Sequence, residues 1–408
     1  MSKLLITGMP VKKNSCMICA QMEGGRVAEI FLSSLDQTDV FGNIYVGRVE
    51  KVLPYIQGAF VEIHNGQTCF YNLSEQSQAV YVHKKSAAGG QHLLKAGDQM
   101  LVQVSKEQMR GKRPSVTSQF MLTGRYLVLV AANSYLRLSR KLSSSDRVRL
   151  KGILEDIHEP EASGGYGIIV RTNACHATVQ EIFRELGILK KRLRKILKKG
   201  QSQTACSLVE QAQPFYLSAI RNAYAGKLEE IVTDVPAVYK QLQAYLREYQ
   251  PEDLYKLRLY EDDRLSLYQL YSLERVVEDI QKKKVWLKSG GFLVIEQTEA
   301  FVSIDVNTGG YVSKKEAQET YRKINLEAAG EIAFQLRLRN LSGAILVDFI
   351  NLKQEEDQRE LMQVFQEHLR KDPVKTEVVD MTALKIVEVT RQKIRRSVPE
   401  ELSILERA

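Results

Sequence analysis

Phe301-Val-Ser-Ile-Asp305-Val-Asn307-Thr-Gly-Gly310 decides how the C-terminal part of the chain is read. Val302, Ile304 and Val306 fall on one side of an alternating pattern, and Ser303, Asp305 and Asn307 fall on the other. That is a half-buried strand with an oxygen-rich outer row. It runs into Thr308-Gly-Gly310, a turn whose backbone can approach a ligand closely. Residues 291–297 read as a second strand and predict a hairpin with 300–307. Further on, the pattern predicts a helix over 315–339, a strand over 344–350, a helix over 355–370 and a strand over 376–381. A last helix is expected over about 383–397. Strands and helices taking turns in this way make the region α/β.

The strand Ala344-Ile-Leu-Val-Asp348-Phe-Ile350 carries a second carboxylate, on the same face as Leu346 and Ile350. A carboxylate in an apolar strand is costly unless it is paired or metal-bound. Asp305 and Asp348, with the Asn307 amide oxygen, suit a hard cation such as Mg²⁺, with Mn²⁺ as a substitute. Such an ion polarises phosphoryl oxygens and activates water. Spacing alone serves equally well for buried Asp side chains hydrogen-bonded to Asn or backbone.

Working outward, residues 1–35 read as three short strands with a Gly24-Gly25 hairpin turn. They are too few to bury a core of their own. Residues 36–118 hold strand patterns at 44–53, 58–63, 68–73, 100–106 and 115–121, which suggests a small barrel of OB type. Beyond it come strands at 125–130 and 167–171 and an amphipathic helix over about 178–199. Ile182, Phe183, Leu186, Leu189, Leu193, Ile196 and Leu197 keep helical spacing there, and Gly200 suits a stop. The basic run 190–199 fits a solvated helix face and also fits contact with RNA. Residues 211–284 alternate strand (228–233), helix (236–248), strand (256–260) and helix (268–282), and could complete the N-terminal hairpin as one discontinuous domain. The fold class is therefore α/β multidomain (α+β).

The chain has 408 residues, 44% hydrophobic and 26% charged, a folded multidomain composition. No apolar run is long enough for a membrane span and there is no signal-peptide layout, so a cytoplasmic location is expected. The net charge of +9 permits a polyanionic partner. Five scattered Cys fit reduced thiols. Cys16 and Cys19 have the spacing of half a zinc site, but in a strand they face opposite sides and no second pair follows. No structural zinc is expected.

Phe60 shares a strand face with Glu62 and His64, and Phe70 likewise falls on the polar side of its strand. Base stacking, worth about 1–3 kcal/mol per base, accounts for both; so does a domain contact that covers them. Lys106, Arg110, Lys112 and Arg113 follow close by and could neutralise phosphates.

A series of words now resembles a known family. They are Gly42-Asn-Ile-Tyr-Val-Gly-Arg-Val49, Gln57-Gly-Ala-Phe-Val61, Leu101-Val-Gln-Val-Ser-Lys-Glu107, Gly124-Arg-Tyr-Leu-Val-Leu129, Val170-Arg-Thr172, Lys284-Val-Trp-Leu-Lys-Ser-Gly-Gly291, Ile304-Asp-Val-Asn-Thr-Gly309, Asn325-Leu-Glu-Ala-Ala329, Gln335-Leu-Arg-Leu-Arg339 and Val347-Asp-Phe-Ile350. In this order the chain resembles the bacterial ribonuclease E/G family, especially its shorter ribonuclease G-like members.

The resemblance implies a ribonuclease H-like domain split between 1–35 and 215–280. It implies an RNA-binding OB domain of the ribosomal S-one type at 36–118, a 5′-end sensor region at 119–214 and a deoxyribonuclease-I-like catalytic domain at 281–400, with 401–408 as a tail. It implies that Asp305 and Asp348 hold catalytic Mg²⁺, with Asn307 orienting the phosphate or an Asp. Phe60, Phe70 and Lys112 match RNA-contacting barrel positions. Arg171, Thr172, Val128, Arg140 and Lys375 match the region that reads a 5′-monophosphate. Read from the residues alone, a structural ion-pair role for Arg171 ranks first.

The implied activity is endonucleolytic cleavage of single-stranded RNA, ribosomal precursor or messenger, in processing and decay. A non-catalytic RNA-binding protein and a deoxyribonuclease are the rivals. The Cys-x-x-Cys zinc link that the family commonly carries after the catalytic domain is not found between there and Ala408, so a zinc-linked assembly is not expected and a homodimer is left open, and Gly310 stands where many relatives carry a basic residue.

Overall fold

The computed structural model describes residues 2–34, 40–82, 93–106, 113–155, 165–223, 228–310 and 317–405. The chain forms two compact units. One comprises residues 1–37, 229–242 and 255–408; the other comprises 38–228 and 243–254.

The first unit contains two sheets. A five-stranded sheet runs in the order Leu257–Leu259, Leu228–Thr233, Ser2–Val11, Asn14–Glu23 and Arg26–Ser34. Its N-terminal hairpin turns at Gly24 and Gly25, both at positive φ, where a side chain would be strained. Leu5, Ile18, Ile30 and Leu32 pack with Leu267, Leu273, Val277 and Ile280 into one core. Cys16 and Cys19 are both free and buried, and burial pushes the Cys19 thiol well above its usual range. The helix expected over 268–282 is broken into Leu267–Leu270 and Leu273–Gln281, with Ser272 between them in the left-handed region.

A six-stranded sheet has the order Lys284–Trp286, Phe292–Gln297, Phe301–Asn307, Gly343–Asp348, Ile386–Arg391 and Thr376–Met381. Helices Ala317–Leu338 and Glu355–Arg370 supply the apolar partners of one face. Val302, Ile304, Val306, Ile345 and Val347 are buried there with Ile332, Leu336 and Phe365. The alternation read from the sequence thus places its apolar row correctly.

Two expectations need correction. Residues 383–397 do not form a helix. Ile386-Val-Glu-Val-Thr-Arg391 is a strand antiparallel to Gly343–Asp348, with Val387 and Val389 buried. Its β-branched alternation outweighs the helix-forming Lys, Glu and Arg around it. The last helix lies further on, at Val398–Leu405, with Pro399 in its first turn and Val398, Leu402 and Leu405 buried. Residues 401–405 are therefore part of a packed helix and not a bare tail.

In the second unit, strands Ile44–Leu53, Gly58–His64, Gln67–Asn72, Ser115–Thr117 and Gln99–Lys106 form a closed five-stranded, OB-like barrel. Pairing of Ile44–Arg48 with Gln99–Gln103 closes it, and Leu208–Glu210 adds to the outside of the first strand. A four-stranded sheet follows, in the order Leu136–Leu138, Tyr166–Val170, Leu127–Ala131 and Met121–Thr123.

Helix Val179–Ser202 packs on this region through Ile182, Leu186, Leu189, Leu193 and Ile196. It starts at a reciprocal capping box between Thr178 and Glu181, which satisfies end donors that the helix itself leaves free. Gly200 does not stop it. A Cβ at that position would lie 2.6 Å from Leu101 Cδ2, so the glycine is there for close packing. No helix among the described residues is long and apolar enough to cross a membrane.

Candidate active site and nucleic-acid interface

Asp305 and Asp348 are register partners in the parallel pairing of Phe301–Asn307 with Gly343–Asp348. Residues in register share a sheet face, so the two carboxylates stand side by side on the face away from the helices. Both are exposed. The expected cost of a carboxylate in an apolar environment therefore does not arise at Asp348. Its strand neighbour Leu346 is only half-buried, and the strand ends at Asp348. Asn307 donates its Nδ2–H to Asp305 Oδ2 at 2.8 Å, which fixes the carboxylate's rotamer. Among the described residues neither Asp is in an ion pair. Two adjacent, charge-unneutralised carboxylates ending at a Gly-containing turn fit a hard divalent cation, whose remaining positions would be open to water and phosphate. No cluster of three or more His, Cys, Asp or Glu suited to a metal occurs among the described residues.

On the barrel, Phe60 and Phe70 are directly opposite each other in neighbouring antiparallel strands, and both are half-buried. The Arg113 guanidinium lies over the Phe60 ring at 4.8 Å. Phe70 is seated on Gly58, where a Cβ would lie 2.3 Å from its Cε2. The glycine thus gives the ring its place. Lys112 and Arg110 lie outside the described residues.

Arg171 and Thr172 follow the strand Tyr166–Val170. Arg171 Nη1 donates to the Gly124 carbonyl at 2.7 Å and Nη2 to Asn222 Oδ1 at 2.8 Å. Both acceptors are neutral. Desolvation, with repulsion from Arg221, pushes the Arg171 guanidinium down to about 10, so it stays charged at neutral pH. Among the described residues it makes no salt bridge, while the Glu185 carboxylate acts on it through space. Thr172 Oγ1 and Ser139 Oγ share a hydrogen bond of 2.9 Å, which brings the exposed Arg140 next to the Thr172 turn. Val128 is half-buried opposite Ile169. Lys375 belongs to the other unit and pairs with Glu377 at 3.1 Å.

Glu185 is a residue the sequence reading passed over. Its carboxylate accepts the backbone N–H groups of Arg125, Tyr126 and Leu127 at 2.7, 2.8 and 2.7 Å. Burial pushes it up, against those three hydrogen bonds. A Cβ on Gly124 would lie 2.4 Å from this carboxyl group, so the glycine admits the acid. The signal was present: Glu185 lies among Ile182, Leu186 and Leu189 on the apolar stripe of its helix, where an acid needs a reason.

A model of the Ribonuclease E/G family matches residues 121–394. Ribonuclease G of Escherichia coli (strain K12) is 33% identical over 395 residues, 94% of this chain and 79% of that protein. Ribonuclease G of Haemophilus influenzae is 32% identical over 404 residues, covering 97% and 80% of the two chains. Ribonuclease E of Nostoc sp. is 34% identical over 373 residues, 88% of this chain and 52% of the longer protein. This chain belongs to the ribonuclease E/G family.

Proposed function

We propose that the chain is an endoribonuclease acting in RNA processing and decay, which cleaves single-stranded RNA with Mg²⁺ held by Asp305 and Asp348. The observation that carries this reading is the register pairing of those two exposed carboxylates. When bound, the ion would supply Lewis-acid stabilisation of phosphoryl charge and activation of water. Asp305 and Asp348 furnish the negative charge that holds it, and Asn307 keeps Asp305 in one orientation. Phe60 and Phe70 offer faces for bases, and Arg113 a charge for phosphate. Hydrolysis in this sense leaves 5′-phosphate and 3′-hydroxyl ends.

The second part of the proposal is a preference for RNA with a 5′-monophosphate, bound by Arg171 with Thr172, Val128 and Arg140. Its support is the desolvated Arg171 guanidinium, held only by neutral acceptors. An arriving phosphate would give this cation a directly hydrogen-bonded anion, where now only the Glu185 carboxylate acts on it through space. The third part is the domain layout: a split ribonuclease H-like domain around the barrel and sensor, then a deoxyribonuclease-I-like catalytic domain. The sheet that joins the N-terminal strands to Leu228–Thr233 supports it.

The test is a cleavage assay on one RNA prepared with 5′-monophosphate or 5′-hydroxyl ends, with Mg²⁺ or with chelator. Cleavage that survives complete chelation would remove the metal role. Equal rates on the two RNAs would remove the sensor role.

A further inference from the structure

Edge strand Lys284–Trp286 continues the register of the carboxylate face. Lys284 is opposite Val294, which is opposite Asp305, which is opposite Asp348. Trp286 is opposite Phe292, which is opposite Asn307. All of these side chains therefore share one sheet face, and none of them is buried. At a strand spacing of about 4.8 Å, the edge strand runs roughly 10 Å from the Asp305 strand.

Trp286 is 62% exposed. It meets the Phe292 ring edge-on, with centroids 5.3 Å apart. The Lys284 ammonium lies over both rings, 4.0 Å from the Trp286 centroid and 3.7 Å from that of Phe292. Among the described residues Lys284 has no carboxylate partner; its neighbour Lys283 takes Glu296. Beyond this edge the surface falls into a cleft of about 720 Å³, where Arg26 pairs with Glu331, Lys282 and Arg275 pair with Asp279, and Lys284 and Arg339 leave an excess of positive charge.

We propose that Trp286, with Phe292 and Lys284, is a stacking platform for a base of the RNA strand close to the cleaved bond. The inference rests on the ribonuclease reading and adds a subsite to it. An open indole face attracts bases of any identity, because every base has a π-face. The ammonium beside it supplies the charge for the adjoining phosphate, and the basic cleft continues the path. At a stacked rise of ~3.4 Å per nucleotide, the 10 Å from Asp305 corresponds to roughly three nucleotides, fewer in an extended strand. A Trp that only shielded Phe292 would not leave most of its surface in solvent.

Trp286 is the only tryptophan of the chain, so its emission reports on this platform alone. The full chain in chelator is titrated with a single-stranded oligoadenylate and, separately, with an abasic oligomer of equal length. Binding is followed in parallel by anisotropy of an end-labelled copy. Quenching that saturates together with the anisotropy for oligoadenylate, and is absent or much weaker for the abasic strand, supports the platform. Trp286→Ala should lower kcat/KM on single-stranded RNA by roughly tenfold or more, and Trp286→Phe should recover most of it.

Unchanged emission while the labelled RNA binds, or undiminished cleavage by Trp286→Ala, overturns the platform and leaves the ribonuclease reading in place. Failure of the unmodified chain to cut RNA with Mg²⁺ overturns the ribonuclease reading, and the platform with it.

Discussion

Asp305 and Asp348 face each other across a parallel strand pair, so two negative charges about one strand spacing apart share an open surface. No described cation neutralises them. Asp305→Asn and Asp348→Asn keep the shape and remove one charge each. Cleavage should fall by on the order of 10²–10³-fold or more. Because both sites are exposed, stability should change by no more than about 0.5 kcal/mol. Initial rates and urea unfolding, measured on the same preparations, check both parts. Loss of activity that tracks loss of fold would count against a direct role.

Asn307 acts on Asp305 through a single hydrogen bond of 2.8 Å. Asn307→Ala frees the carboxylate to rotate. Roughly 10–100-fold more Mg²⁺ should then be needed for half-maximal cleavage, with much of the rate recovered at saturation. A metal titration of activity distinguishes this from a uniformly lower rate.

Gly58 is a concealed determinant of the barrel surface. Gly58→Ala places a methyl group where the Phe70 ring lies and must displace it. Affinity for single-stranded RNA should fall by as much as Phe70→Ala, about 1–3 kcal/mol. The double variant should be little worse than either single one, since both changes remove the same stacking face. Anisotropy with labelled RNA measures all three.

Glu185 supports Arg171 by its charge and through the backbone between them. It holds the amides of residues 125–127, and the Gly124 carbonyl just before them accepts from Arg171. Glu185→Ala leaves three buried N–H groups without a partner, at about 1–3 kcal/mol each. The urea midpoint should drop sharply. At a denaturant-free temperature where the variant is still folded, its rate ratio for 5′-monophosphate over 5′-hydroxyl RNA should approach one. An intact ratio would separate the loop's stability from the sensor.

Much of the fold was legible because strand alternation records burial directly. The pattern 302–306 gave the buried row of its sheet, and the spacing 182–196 gave the packed stripe of the long helix. Residues 383–397 misled because Leu384 and Val387 keep helical spacing while Val387, Val389 and Arg391 keep strand spacing. Partner strands decide such a case, and a window of sequence does not contain them. The same limit applies to Asp348. Its strand is rich in apolar residues, but whether its outer face is covered depends on elements elsewhere in the chain, and that face is open. Asn222, 51 residues from Arg171, was beyond any local pattern as its acceptor.

The five-stranded sheet of the first unit has a consequence for biosynthesis. Its first three strands emerge from the ribosome early, but their neighbours Leu228–Thr233 and Leu257–Leu259 are made only after nearly all of the barrel-containing unit. Pairings of such long sequence separation are slow to form, since the loop entropy is lost before the contact is gained. The intervening residues 38–228 can collapse into their own core while the early hairpin waits. Until Leu228–Thr233 is available, one edge of Ser2–Val11 has no strand partner, and an open edge of that kind is a template for wrong pairing.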